Sequence, residues 1–295
     1  MNSQKIDGKQ MILWMKDLWH YPRSLTGHGT RKTLNYLKNI NPDLNIYSFN
    51  SGKKVFDWEI PDEWNIYDAY IKHESGEKFA EFKKNNLHIL GYSTPCDMHI
   101  SLDELLPHIY TQQDQPNVIP YVTSYYESNW GFCMSEKDKA HLPNGEYHVV
   151  IDAKKHKGSM EIADLVIKGE SSKEIFFSTY ICHPSMANNE LSGPVLASAL
   201  IRYIKAEFNN PKYTYRFVFV PETIGSITYI NQHLDNLQKN VICGFNLSCV
   251  GDNRAYSHIE SRMGNNLADN ALQSALINLD NVVKYSFLER GSDER

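Results

Sequence analysis

Two residues in the second half of the chain have the types and placement to do chemistry together. His183 follows the apolar run Glu174-Ile175-Phe176-Phe177-Ser178-Thr179-Tyr180-Ile181 through Cys182, and Glu222 follows the run Tyr213–Val220 through Pro221. Asn188-Asn189-Glu190 stands shortly after His183, and Ser248 and Asp252 follow a third apolar run, Val241–Leu247. Imidazole nitrogen and carboxylate oxygen are donors that a catalytic zinc takes, with one position kept for water. A carboxylate outside the ligand set can then accept that water's proton. Taken singly, a histidine before proline is commonly a hydrogen-bonded turn residue, and a glutamate after proline is commonly solvated. Their shared position at strand ends is what links them. His88, His99 and His108 lie in an aromatic-rich stretch and His20 and His28 near the start, where structural or surface roles fit them better. His258, after Asp252, is the spare candidate.

These side chains need a scaffold that brings strand ends together. From residue 146 the chain alternates strand and helix patterns. Strands read at Tyr147–Asp152, Ile162–Ile167, Ile175–Ile181, Thr214–Val220 and Val241–Leu247, with helices at Leu191–Phe208, Ser226–Asn236 and Asn265–Asn278. Such alternation predicts an α/β fold, a mostly parallel or mixed sheet with helices on both faces. Ligands of open α/β sheets bind at the carboxyl ends of the strands, where His183 and Glu222 stand. Residues 5–44 read as helix, turn, helix, the first carrying Met11, Leu18 and Trp19, the second capped by Thr30 and running through Leu34 and Leu37. Residues 45–145 have a different texture, dense in aromatics and turn residues, and predict a small inserted β-rich domain. Strands are expected there at Leu87–Leu90 and Val118–Val122, and a helix over Leu102–Tyr110 with Ser101 as N-cap and Glu104 at N3. The expected organisation is an α/β domain of residues 1–44 and 146–295 interrupted by 45–145.

Composition bounds the function. With 295 residues, 41% hydrophobic and 22% charged, the chain is an ordinary globular one, long enough for a large domain plus a smaller one. A formal net charge of -5 gives no reason to expect nucleic acid or an anionic membrane as partner. No apolar run approaches the roughly 20 residues of a membrane span, and the start carries no secretory pattern, so a cytoplasmic location is expected. The five cysteines include no C-x-x-C pair and read as reduced thiols.

At Cys182-His183-Pro184-Ser185-Met186-Ala187-Asn188-Asn189-Glu190-Leu191-Ser192-Gly193-Pro194 the chain resembles bacterial aminopeptidase-like proteins encoded among polysaccharide-biosynthesis genes, relatives of the co-catalytic zinc aminopeptidases. Further matching blocks are Arg23-Ser24-Leu25-Thr26-Gly27, Phe56–Trp64, Ile119–Tyr126, Asn129–Cys133 and Gly291-Ser292-Asp293-Glu294-Arg295. The resemblance implies an aminopeptidase-like domain interrupted by a small β domain. It implies His183 as the first zinc ligand, with Asn189 where the two-metal enzymes place a bridging aspartate and Glu190 directly after it. Glu222 falls in the region of the general base, Ser248 at a ligand aspartate, and Glu294 at a later histidine. An amide does not bridge two cations as a carboxylate does, and serine is a poor zinc ligand, so one zinc rather than two is expected. Asn189 and Glu190 compete for one place, and Asp252, Asp293 or Glu294 could complete the set. The family usually continues past Ser-Asp-Glu-Arg into a further histidine and a winged-helix domain, which implies weak zinc binding in a chain ending at Arg295. Two functions follow: a zinc hydrolase of a peptide or small amide substrate with Glu222 as general base, or a non-catalytic aminopeptidase-like scaffold in a surface-polysaccharide pathway.

Overall fold

The computed structural model describes residues 7–289. Asp7 caps the first helix, α1 (Gly8–Trp19), by accepting from the Gln10 amide at 2.9 Å. Helix α2 (His28–Ile40) starts after Gly27, not at Thr30. Gly27 has φ +92°, and a Cβ there would lie 2.2 Å from the Trp64 carbonyl oxygen, so only glycine fits the entry. Thr30 is buried inside the first turn, its hydroxyl donating to the Ser24 carbonyl at 2.6 Å.

Strand β1 (Asn45–Asn50) comes next, then a short hairpin of β2 (Lys54–Val55) and β3 (Trp58–Glu59), the long β4 (Glu63–His73) and β5 (Lys78–Phe79). After them run β6 (Cys96–Ser101), α3 (Leu102–Leu105), β7 (Ile109–Tyr110), β8 (Phe132–Cys133), α4 (Glu136–Ala140) and β9 (Glu146–His156). The remainder alternates: β10 (Ser159–Ile167), β11 (Ser171–Tyr180), α5 (Ser192–Glu207), β12 (Tyr213–Val220), α6 (Ile224–Asn240), β13 (Val241–Asn246), β14 (Tyr256–Ile259), α7 (Leu267–Leu276) and β15 (Val282–Tyr285).

The main sheet has the order β1-β10-β12-β11-β13, antiparallel across its first three strands and parallel across its last three. It is a mixed sheet, as expected. Period-two alternation divides its strands between two cores. Ala163, Leu165, Ile167, Phe217 and Phe219 pack with Leu18, Leu34, Leu37 and Ile201 of α1, α2 and α5. Met160, Ile162, Val218 and Val220 face the other way, toward Ile224 and Tyr229 of α6 and the second sheet.

That second sheet has the order β5-β4-β9-β6 and is antiparallel throughout. Its pairing places the boundaries differently from 45 and 145. Asn45–Asn50 is an edge strand of the main sheet, and Glu146–His156 is a central strand of the second. Both runs alternate as strands should, and strand pattern alone does not name the sheet a strand joins. In β4 the buried set runs Trp64, Ile66, then Ala69, Ile71, a change of phase produced by the register shift between Ile66 and Asp68, which leaves Tyr67 facing out. Arg31 of α2 clamps the sheets together, bonding Glu63 of β4 and, at 3.2 Å, Glu161 of β10.

Around the second sheet regular structure is sparser than expected. The Ser101–Glu104 capping box forms, but α3 ends at Leu105, and a 3-10 turn over Leu106–His108 leads into β7. Leu87–Leu90 is not a strand: a 3-10 turn over Asn86–His88 is followed by a single bridge at Ile89. Val118–Val122 joins none of the described strands, since Pro116 and Pro120 remove ladder donors at and beside it.

Candidate functional site

Strands β11 and β12 run parallel in register, so Tyr180 and Val220 end side by side, and Ile181 still donates to the Val220 carbonyl at 3.0 Å. Directly beyond them the chain leaves the sheet at Cys182-His183 and at Pro221-Glu222. On the other side of β11, Leu247 donates to the Ser178 carbonyl at 2.8 Å and leads to Ser248. Each exit passes through a left-handed residue that is not glycine: Ser185 at φ 42°, Thr223 at φ 60° and Cys249 at φ 52°. Such backbone costs about 1–3 kcal/mol per residue and gathers at working sites. A π-turn over Ala187–Leu191 then opens α5, another irregularity common at functional sites.

Inside this ring His183 is buried between two carboxylates. Its Nδ1 lies 2.7 Å from Glu190 Oε2 and its Nε2 lies 3.1 Å from Glu222 Oε2. Glu190 has no exposure at all, whereas Glu222 is partly open to solvent. The Cys182 thiol sits 3.3 Å from His183 Nδ1 and accepts from the Glu222 amide at 3.1 Å, which ties the two strand ends together. The ring of Tyr121 packs 4.7 Å from the imidazole. Burial pushes the Cys182 thiol up to about 11 and keeps it neutral. Burial also opposes charge on His183, but Cys182 and Glu190 beside it favour charge and the net shift is upward; with Cys182 a neutral thiol, Glu190 is the partner that acts at neutral pH.

Arg23, which spacing gave no reason to select, lies against the back of this centre. It is fully buried, donates from Nε to the His183 carbonyl at 2.8 Å and stands 3.9 Å from Glu190 Oε1. Burial lowers its pKa to about 10, with Glu190 opposing, so it stays a cation at neutral pH. Arg23 also lines a small cavity with Trp64, Phe82, Tyr121, Tyr125 and Pro184.

The other candidates fall in different places. Asn189 points its amide nitrogen toward Cys249 Sγ at 3.8 Å, and its Oδ1 is buried without a hydrogen-bond partner. The Ser248 hydroxyl is bonded to the Tyr180 hydroxyl at 2.6 Å. Asp252 is not among the side chains gathered at His183; it pairs with Arg254, whose hydrogen bonds hold its carboxyl down at about 2. His258 is paired with Asp269 at 3.6 Å in a separate buried cluster. Ser292, Asp293 and Glu294 lie outside the described residues.

Whether these donors suit a zinc ion can be tested on the distances. Imidazole nitrogen is a donor that zinc takes, and the Glu222 carboxylate stands 3.1 Å from His183 Nε2, where a base outside the ligand set is needed. The opposite ring nitrogen bonded to a buried carboxylate is the support that metal-binding histidines commonly have. Cys182, His183 and Glu222 form the one group of three such side chains among the described residues whose donor atoms lie within 4.8 Å of one another. The donor chemistry suits a zinc ion.

The mixed sheet with helices on both faces is an aminopeptidase-like fold, and a histidine and a glutamate stand at the carboxyl ends of its adjoining parallel strands. Residues 13–295 match the family described as a domain of unknown function (DUF4910), and the chain belongs to that family. A Clostridium acetobutylicum protein, named for polysaccharide biosynthesis and an aminopeptidase-like domain, is 40% identical over the whole of this chain and 67% of its own length. A crystal structure from Clostridium acetobutylicum, described as a candidate peptidase, superposes with TM-score 0.93 at 39% identity, over 98% of this chain and 68% of that one. A zinc aminopeptidase from Bacillus subtilis superposes with TM-score 0.64 at 13% identity, over 97% of this chain and 80% of that one. At that identity the likeness speaks for the fold alone. Among the described residues no helix is long and apolar enough to cross a membrane.

Proposed function

We propose that this chain is a zinc-dependent hydrolase of aminopeptidase type, acting in the cytoplasm on a peptide or small amide and holding one ion rather than two. The observation that carries the reading is His183, with Nδ1 tied to a fully buried carboxylate and Nε2 facing a second, solvent-reachable one. His183 Nε2 would hold the ion. Asn189, whose buried Oδ1 has no partner, is the candidate neutral donor. Glu190, entirely buried and bonded to Nδ1, orients the imidazole from behind. Bound zinc supplies Lewis acidity, which polarises a carbonyl and lowers the pKa of water. Glu222 accepts the proton of the attacking water and returns it to the departing amine, a role its partial exposure permits. The name of the Clostridium acetobutylicum relative supports a place beside polysaccharide biosynthesis.

Titrating metal-free protein with zinc tests the proposal. We expect one equivalent to bind, and binding to be lost in His183→Ala with the fold retained. Ser248, bonded to Tyr180 where the two-metal enzymes carry a ligand aspartate, favours the competing reading of a metal-free scaffold. Absence of zinc binding in the unaltered chain would overturn the proposal and favour that reading instead.

A further inference from the structure

The buried centre contains a cation that the proposed chemistry does not use. Arg23 is 2% exposed, and its side chain reaches three groups from different parts of the chain. Nε donates to the His183 carbonyl at 2.8 Å, Nη1 donates to the Leu18 carbonyl at the end of α1 at 2.5 Å, and the guanidinium lies 3.9 Å from Glu190. A buried carboxylate without a cation is strongly disfavoured. Among the described residues Arg23 is the fixed cation in ion-pair range of Glu190, whose other neighbour in range is the imidazole it supports. The two backbone bonds matter as much as the charge. His183 lies between the end of β11 and the left-handed Ser185, a stretch with no ladder to hold it. The bond from Arg23 fixes the peptide of His183 to α1, while Glu190 fixes its ring.

We infer that Arg23 is a positioning residue for His183: it anchors the His183 backbone and holds Glu190 against Nδ1, so that Nε2 is presented to Glu222. This rests on the function proposed above only for its zinc readout. Removing the guanidinium frees Glu190 to turn away from Nδ1 and loosens the histidine peptide, and both changes disorder Nε2.

The test uses Arg23→Met, which keeps apolar bulk, and Arg23→Lys, which keeps the cation and loses the fork. The first readout is the Nδ1 proton of His183 in metal-free protein, identified in proton NMR by its absence in His183→Ala. A bond of 2.7 Å to a buried carboxylate shifts that proton downfield and shields it from exchange. We expect the resonance in the unaltered chain, its loss in Arg23→Met and a broadened form in Arg23→Lys. Zinc affinity is expected to fall about 10–100-fold in Arg23→Met, the usual effect of losing support for a ligand. A folded Arg23→Met with the resonance and the zinc affinity unchanged overturns the inference, as does absence of the resonance from the unaltered chain. Should Arg23→Met fail to fold, Arg23→Lys decides: an unaltered resonance refutes, a broadened one supports. A protein that shows the resonance but takes no zinc removes the proposed function and leaves this inference standing.

Discussion

Replacing Glu222 by glutamine separates the two roles that its position allows. Glutamine has the same shape but cannot take a proton at neutral pH, and its amide can still lie against His183, from whose Nε2 the carboxylate stands 3.1 Å away. Loss of a general base slows a reaction by roughly 10²–10⁴, which is about 2.7–5.5 kcal/mol of barrier. The carboxylate is partly exposed and its backbone amide is fixed on the Cys182 sulfur, so the substitution leaves the strand ends joined. We therefore expect Glu222→Gln to keep its fold and its zinc. Turnover of a panel of aminoacyl p-nitroanilides by the zinc-loaded chain should drop by two to four orders of magnitude, with KM little altered. The assay pairs kcat with zinc content on the same samples. Retention of kcat within about tenfold would refute the base assignment, because a lost base has a larger effect. Release of zinc from the variant would instead make Glu222 a ligand.

Two further predictions concern the frame around the site. Phe217 is wholly buried in β12 and stacks on Phe177 at 4.9 Å, so Phe217→Ala should lower unfolding free energy by about 3–5 kcal/mol in urea titration; a loss under about 1 kcal/mol would show that the core collapses around the gap. Burial acts to raise the pKa of Glu63, but hydrogen bonds from Arg31, Asn65 and Ser159 outweigh it and hold the carboxyl at about 2, against an ordinary value of 4.5. Its folded pKa is depressed, so its contribution to stability is complete above about pH 4.5 and is lost as pH falls toward 2. Glu63→Gln should flatten the acid limb of the stability profile, and an unchanged limb would refute the clamp between the sheets.

What the sequence made legible was whatever repeats along it. The main-sheet strands and their helices announce themselves by period, and because β11 and β12 are parallel neighbours in register, reading the end of each apolar run was enough to bring His183 and Glu222 together. Arg23 carries no such signal. It lies 160 residues from the carbonyl it bonds, in a short block that resembles the family but whose spacing gives no role, and one buried arginine looks like any other until its partners are known. The aromatic region hid its structure for a related reason: Val118–Val122 has strand-forming residues, but prolines at 116 and 120 interrupt the donors, and the segment serves to carry Tyr121 to the imidazole.

The choice between Asn189 and Glu190 shows where sequence reasoning meets a geometric limit. Both stand in the segment that follows the histidine, and both have side-chain oxygens. Consecutive residues on a helical turn point about 100° apart, so they cannot both face the same atom, and a shift of one residue exchanges their roles. The π-turn over Ala187–Leu191 sets that phase. It sends the Glu190 carboxylate inward to Nδ1, where Arg23 stands behind it, and leaves Asn189 toward Cys249 with Oδ1 unpartnered. The carboxylate thereby supports the His183 ring, and the neutral amide faces Cys249 instead. Under the proposed function an amide at 189 supplies no charge to bridge two cations, which is the physical reason for expecting one ion.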